Sequence, residues 1–310
     1  MEFKKTRIMV IGDVMIDNYI YGTVERISPE APVPVLKKED ELTFLGGAGL
    51  VAANLKNLGA EVDFIAVIGK DEEALKIRKF LSDKGIPADG LVVEMGRRTT
   101  IKKRFVATTP YFQMLLRLDN EADENIRPET EKEIIERMKN GIDTVDFIII
   151  SDYAKGVLTE NVIRKILVLA KEKTKKIIVD SKKNLYNYKG AYMVVPNTRE
   201  LSLAFGLKNT NEDDPMTRSA LKLFKALDTM VVVKRGSKGA TIADENGTRT
   251  YPAMAKKVVN ISGAGDIFLS ILAMSLASGQ NIDEAIKAAN LGCGKAIAKR
   301  HPTITLEDFQ

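Results

Sequence analysis

Between residues 146 and 234 the chain repeats one pattern: a short apolar run, a polar cluster at its end, then a stretch with helical spacing. The runs are Asp146 to Ser151, Lys176 to Asp180, Ala191 to Val195 and Thr229 to Lys234. Short β-branched runs without alternation read as strands buried on both faces. The segments between them, Thr159 to Lys173 and another ending near Leu227, have helix periodicity. Such alternation predicts an α/β fold with a doubly wound, mainly parallel sheet and helices on both faces. Three runs end in Asp152/Lys155, Asp180/Lys182 and Asn197/Glu200. Polar groups recurring at one end of a parallel sheet mark a ligand crevice. Arg7 to Ile11 is a further buried strand ended by Gly12, and Asp13 and Asp17 follow it at the same end. Two carboxylates in five residues at that place favour hydroxyl binding over turn chemistry.

The stretch Asn260-Ile261-Ser262-Gly263-Ala264-Gly265-Asp266 leads into an apolar run of good helix formers, Ile267 to Met274. A small-residue turn opening into a helix presents backbone N–H groups at the positive end of the dipole, which is an anion site. Gly263, Ala264 and Gly265 are its expected amide donors. Asp266 reads equally as a helix cap or as a base beside a phosphoryl group in transfer. A second glycine cluster, Phe44-Leu45-Gly46-Gly47-Ala48-Gly49, is expected to open a helix over Leu50 to Leu58.

Alternation and prolines between Tyr19 and Leu36 predict short strands outside the central sheet. The strand Thr99 to Ala107 carries Lys102, Lys103 and Arg104 on both faces. They read as charges guarding a solvated edge, or as a lid whose Lys102 and Arg104 meet a sugar phosphate. No repeat, low-complexity tract or linker interrupts the chain, so residues 1–310 are expected to form one domain. Strands at about 17–37 and 98–119 would be inserted as a small β-sheet lid. Glu245-Asn246-Gly247 marks a hairpin.

Composition removes several function classes. With 47 basic and 42 acidic residues interspersed, the net charge of +5 suggests no nucleic-acid arm. One cysteine, Cys293, and one histidine, His301, exclude a disulfide framework and nearly exclude multi-His or Cys metal sites. No run has membrane-spanning length and Met1 to Lys5 lacks a secretory apolar core, so a cytoplasmic protein is expected. The first strand is followed by Gly12-Asp13-Val14-Met15 without the dinucleotide fingerprint, which argues against a nicotinamide oxidoreductase.

Taken together the motifs resemble the ribokinase-like family of sugar kinases over nearly the whole chain. Gly46-Gly47 is similar to the first family signature, which packs against the sugar. Asn197-Thr198-Arg199-Glu200 is similar to the Asn-x-x-Glu motif. Lys234-Arg235-Gly236-Ser237-Lys238-Gly239 resembles the nucleotide-side loop, and Ser262 to Asp266 the second signature. The resemblance implies a ribokinase-like fold, with ATP and magnesium as cofactors and Asp266 as catalytic base. It further implies a nucleotide site of Asn197, Lys234, Gly236, Ser237, Gly239 and Asn290. Glu200 would act on magnesium through water. Asp13, Asp17, Gly46, Gly47, Lys102, Arg104, Asp152 and Lys155 would form the sugar side. A homodimer through the lid is expected on the same ground, with no nucleic-acid or membrane partner.

Gly12 to Tyr19, Arg26 to Val35 and Ser151 to Gly156 resemble more narrowly the heptose 7-phosphate kinase branch, the kinase half of ADP-heptose synthesis enzymes. That resemblance implies transfer from ATP to the anomeric hydroxyl of D-glycero-D-manno-heptose 7-phosphate. Many of that branch carry a C-terminal nucleotidyltransferase; ending at Gln310, this chain is expected to lack one. Two positions depart from the family. Asn260 replaces an Asp, which calls monovalent-cation activation into question, and Leu50 replaces an Asn, removing a polar sugar contact. Ser181 stands where the branch has Pro. A kinase for another sugar or nucleoside, and a non-catalytic sugar or nucleotide sensor on this fold, are the alternatives.

Overall fold

The computed structural model describes residues 3–109, 111–301 and 303–309. Strand β1 (Arg7–Gly12) is separated by Asp13 alone from β2 (Val14–Ile27), which leaves the main sheet. Its partner β3 (Pro34–Gly47) runs directly into α1 (Ala48–Asn57). The chain then alternates through β4 (Glu61–Ile68), α2 (Glu72–Asp83) and β5 (Leu91–Val93). It returns to the second sheet with β6 (Thr100–Thr109) and β7 (Gln113–Asn120). The repeating half follows: α3 (Pro128–Gly141), β8 (Phe147–Asp152), α4 (Glu160–Glu172), β9 (Lys176–Ser181) and β10 (Met193–Val194). After α5 (Thr198–Ala204) and α6 (Asp213–Leu227) comes β11 (Met230–Lys234). The hairpin β12 (Ala240–Asp244) and β13 (Gly247–Tyr251) precedes the last two long helices, α7 (Ala264–Ala277) and α8 (Ile282–Ala296).

The main sheet has the order β13-β12-β11-β10-β9-β8-β1-β4-β5. It is parallel from β11 to β5, and the hairpin adds two antiparallel strands at one edge. Chain order runs one way from β1 to β5 and the other way from β8 to β11. The reversal falls between β1 and β8, where such sheets open a crevice at their carboxyl ends. Alternate residues of β1 feed two cores. Ile8 and Val10 join the residues of α1, α7 and α8; Met9 and Ile11 join those of α3 and α4. Helix α7 is buried from Asp266 through Ser275, as an apolar helix between α1 and α8 must be.

A separate four-stranded sheet has the order β3-β2-β6-β7. Its first two strands are longer than the sequence suggests. Pairing continues until Val14 faces Gly47 and Met15 faces Gly46. These two glycines therefore end a strand and, with Gly47 as its N-cap, open helix α1 as expected, while β3 extends ten residues past 37. Hydrogen bonding along the whole of β2 keeps the glycines in the strand despite their low strand propensity.

Candidate active site

Gly263 caps α7 in the left-handed region, with φ 74°. A Cβ there would lie 2.6 Å from the Leu50 side chain, so the turn needs glycine. The Ala264 N–H is already used, donating to the Ile261 carbonyl at 3.2 Å. Of the expected amide donors Gly265 keeps a free N–H at the helix mouth, and the N–H of Asp266 joins it; the helix itself offers neither an acceptor. At Gly265 an added Cβ would sit 3.3 Å from Lys234 Nζ. The missing side chain lets that ammonium reach the helix mouth.

Asp266 lies in the first turn and is 4 % exposed. Its Oδ1 and Oδ2 both accept the Tyr153 hydroxyl, at 2.7 and 2.9 Å. Burial, and then repulsion from Asp180, push its carboxyl up to about 7; the Tyr153 hydroxyl, Lys182 and Lys234 oppose the rise. A carboxylate poised near neutrality is suited to general-base work.

Beside it two lysines and two carboxylates alternate. Lys234 pairs with Asp180 at 2.5 Å, and Lys182 bridges Asp180 at 3.3 Å and Glu200 at 2.7 Å. The Lys182 ammonium also stands 5.3 Å above the Tyr153 ring. Burial works to raise the Asp180 carboxyl, and Lys234 and Lys182 outweigh it, holding it below its ordinary value. Burial likewise opposes the Lys182 charge, and Asp180 with Glu200 raises it. Asn197 and Glu200 form a reciprocal cap at the start of α5: Asn197 Oδ1 accepts the Glu200 N–H, and Glu200 Oε2 accepts the Asn197 N–H. Asn197 Nδ2 also donates to Glu200 Oε1, at 2.6 Å. In this structure Asn197 is first a holder of Glu200.

Several residues expected on the sugar side are held by partners within the chain. Asp152 is 1 % exposed and accepts from Ser181 Oγ, Tyr188 Oη and the Ala154 N–H. Asp13 is buried and accepts the N–H groups of Tyr153, Lys155 and Val157, so it anchors the loop after β8. Burial, then Asp152, push its carboxyl up to about 6. Both carboxylates shape the site through backbone because strand-end side chains reach the next loop before they reach solvent. Lys102 and Lys155 take one oxygen each of Glu121, and pair also with Asp119 and Asp123. Their charge is therefore already met within the chain. Asn290 donates to the Tyr251 and Pro252 carbonyls at 3.1 Å each, which spends its amide hydrogens on holding the hairpin exit instead of an adenine ring.

Other expected residues do converge. Asp17 pairs with Arg104 at 2.5 Å and lines a cleft of ≈ 40 Å³ with Tyr19, Phe44, Leu50, Gly263 and His301. Gly46 supports Asp17: a Cβ there would lie 2.4 Å from Asp17 Oδ2. Gly47, at φ 56°, approaches the Asp13 carbonyl so closely that a Cβ would sit 2.5 Å from it. Gly236, Ser237 and Gly239 form the turn after β11, next to Lys234. Gly239 has φ 84°, and a Cβ would strike the Tyr251 carbonyl at 2.0 Å. Of the two departures, Asn260 bridges the Ser262 N–H and the Arg300 carbonyl, tying the anion loop to the C-terminal segment. Leu50 packs on Gly263.

The sequence reading assigned no site role to Tyr153. Asp180 and Lys182 were visible only as a strand-end polar pair. His301, which meets the rings of Tyr19, Tyr21 and Phe44, was also missed, since only folding brings residue 301 to the small sheet.

A buried carboxylate at a helix mouth, two lysines beside it and a cleft under the small sheet are the parts a carbohydrate kinase needs. The model for "pfkB family carbohydrate kinase" matches residues 5–308, and the chain belongs to that family. It is 38% identical over 310 residues to the bifunctional protein HldE of Aliarcobacter butzleri, covering 99% of this chain and 64% of that protein. HldE of Nitratiruptor sp. is 37% identical over 308 residues, with 99% and 64% covered. The chain thus spans less than two thirds of these relatives. In fold it is similar to Arabidopsis thaliana ribokinase complexed with ribose and ATP, with TM-score 0.76, 16% identity and 97% and 96% coverage. It is also similar to Escherichia coli phosphofructokinase-2 in complex with potassium, with TM-score 0.79, 16% identity and 98% and 97% coverage. Among the described residues no helix is long and apolar enough to cross a membrane.

Proposed function

We propose that this sugar kinase phosphorylates the anomeric hydroxyl of D-glycero-D-manno-heptose 7-phosphate with ATP. The observation that carries the chemistry is Asp266, buried at the mouth of α7 with its carboxyl near neutrality. The carboxylate takes the hydroxyl proton as the sugar oxygen bonds to the terminal phosphorus and the bond to ADP breaks. The N–H groups of Gly265 and Asp266, with Lys234, face the charge that builds on the transferred oxygens. The turn of Gly236, Ser237 and Gly239 flanks the nucleotide. Asp17, with Arg104 behind it, and the floor of Gly46 and Gly47 hold the sugar. The cleft has room for only a few waters, so closure of the small sheet excludes solvent from the reaction.

Magnesium fits on restricted terms. Glu200 already accepts Asn197 and Lys182, and no group of three or more His, Cys, Asp or Glu among the described residues could hold a metal. That suits an ion that keeps its waters, held by Glu200 with Asn197 behind it. It would supply neutralising charge to the nucleotide phosphates.

The substrate assignment rests on the resemblance of residues 12–19, 26–35 and 151–156 to the heptose branch. Two cations near the cleft support it: Arg104 lies over Tyr19, which lines the cleft, and Arg300 over Tyr21, and Arg300 could meet a distal phosphate. ADP release should be measured across heptose 7-phosphate, ribose, fructose 6-phosphate and a nucleoside. The heptose phosphate should give the highest kcat/KM, and preference for an unphosphorylated sugar would refute the assignment.

The outward face of β7 supports a homodimer through the small sheet. Leu116 and Leu118 are 57% and 52% exposed on one face of this edge strand, with Phe105 opposite Leu116, and Met114, beyond a bulge, is 50% exposed. A second copy covering that face would remove the apolar patch from water. Leu116→Asp should sediment as a monomer where the parent sediments as a dimer.

A further inference from the structure

We infer that Tyr153 is the positioning residue of the base: its hydroxyl holds Asp266 in the cleft and keeps one carboxylate oxygen when the sugar hydroxyl takes the other. This rests on the reading of Asp266 as the base. The geometry has three parts. The Tyr153 hydroxyl lies 2.7 and 2.9 Å from the two oxygens, straddling the edge of the carboxylate that an acceptor hydroxyl must approach. The tyrosine is itself fixed from behind. Its N–H donates to Asp13 Oδ2 at 2.8 Å, and the next residue, Ala154, is held at φ 60° by an N–H bond to Asp152 Oδ1. A non-glycine residue in the left-handed region is sustained only where the surroundings impose it. The ring then packs near Gly47, with the Lys182 ammonium 5.3 Å from its centre. A Cβ on Gly47 would lie 3.5 Å from Tyr153 Cδ2, so the glycine floor of the sugar site is also the seat of the tyrosine.

This gives the buried Asp13 and Asp152 a purpose. They set the loop after β8, the loop sets the phenol, and the phenol sets the carboxylate. The groups facing Asp266 are Tyr153 from that loop, Asp180 and Lys182 from the end of β9, and Lys234 from β11. Asp17 from β2 acts on the phenol, Glu200 from α5 holds Lys182, and from α8 the Cys293 thiol donates to the Ala264 carbonyl. Of these, Tyr153 alone donates a hydrogen bond to the Asp266 side chain among the described residues. Donation to the ionised form favours it.

The test is the pH profile of kcat/KM for the sugar in the full chain. In Tyr153→Phe the acid limb should move to higher pH, so that the variant loses about tenfold near pH 6.5 and recovers toward the parent above pH 8.5, with KM for ATP unchanged. An unchanged midpoint, with activity equal or lowered by one factor at every pH, would mean the ring merely packs and would overturn the proposal. Site-specific replacement of Tyr153 by 3-fluorotyrosine strengthens the donor without altering the fold. It should move the limb to lower pH, and a shift the other way or none refutes the proposal even where the Phe variant does not fold. Asp266→Asn separates the two failures. If it keeps turnover, the base reading falls and this inference with it. If it loses turnover while neither tyrosine change moves the limb, only the role of Tyr153 falls.

Discussion

Asp266→Asn should make the protein more stable as it removes catalysis. The carboxyl is raised from 3.8 to about 7, chiefly by burial. A raised carboxyl means the unfolded chain ionises first, so the penalty on folding is absent below pH 3.8, grows as pH rises, and saturates above pH 7. About three pH units at about 1.4 kcal/mol each give about 4 kcal/mol at pH 8 as an upper figure, and about 1.7 kcal/mol at pH 5. Asparagine keeps an acceptor for the Tyr153 hydroxyl but sheds the buried charge. Loss of the charge-assisted bond, worth about 1 kcal/mol, leaves a gain of about 2–3 kcal/mol at pH 8. With an unfolding entropy of about 2.1 cal/mol/K per residue, that is a Tm rise of about 3–5 °C at pH 8 and about 1 °C at pH 5. Asp13 titrates in the same window in both proteins and cancels in the difference. Calorimetry at the two pH values, alongside kcat, tests this. A destabilised variant, or an equal gap at both pH values, would refute the argument that this carboxylate is held against its own preference.

Gly47→Ala should lower stability by about 2–4 kcal/mol, because φ 56° and a 2.5 Å approach to the Asp13 carbonyl act together. Gly236→Ala, at φ 58° with nothing within 4 Å, should cost about 1 kcal/mol; urea unfolding compares them. Lys182→Met removes a positive charge that opposes the raised Asp266 carboxyl, so the acid limb of the pH–rate profile should move upward. Arg104→Met strips Asp17 of its partner; KM for the sugar should rise at least about tenfold with KM for ATP unchanged, read by steady-state kinetics.

The parallel sheet and the mouth of α7 were legible because their signals are local. Unbroken apolar runs mean buried strands, and Gly263 to Asp266 is a turn that opens a helix wherever it occurs. The partners of the site were not. Asp13, Asp17 and Asp152 look alike as strand-end carboxylates, yet only Asp17 lines the cleft, since the loop after β8 reaches the other two first. Lys102 reads as a phosphate ligand and Lys155 as a sugar-side residue until Glu121, distant from either in sequence, is seen between them. Tyr153 gains meaning only when the ends of β8 and α7 meet. The glycines at 46 and 47 announced the helix that follows them, but not that β3 pairs with β2 right up to its first residue.

The small sheet is joined to the main one without slack. A single residue, Asp13, links β1 to β2, and β3 ends at Gly47 where α1 begins. The other two links, residues 94–99 and 121–127, are longer, so a tilt of the small sheet would be most constrained at these two residues. Both touch Tyr153, Gly47 at its ring and Asp13 at its N–H, so the hinge of the small sheet and the seat of the Asp266 partner are one place.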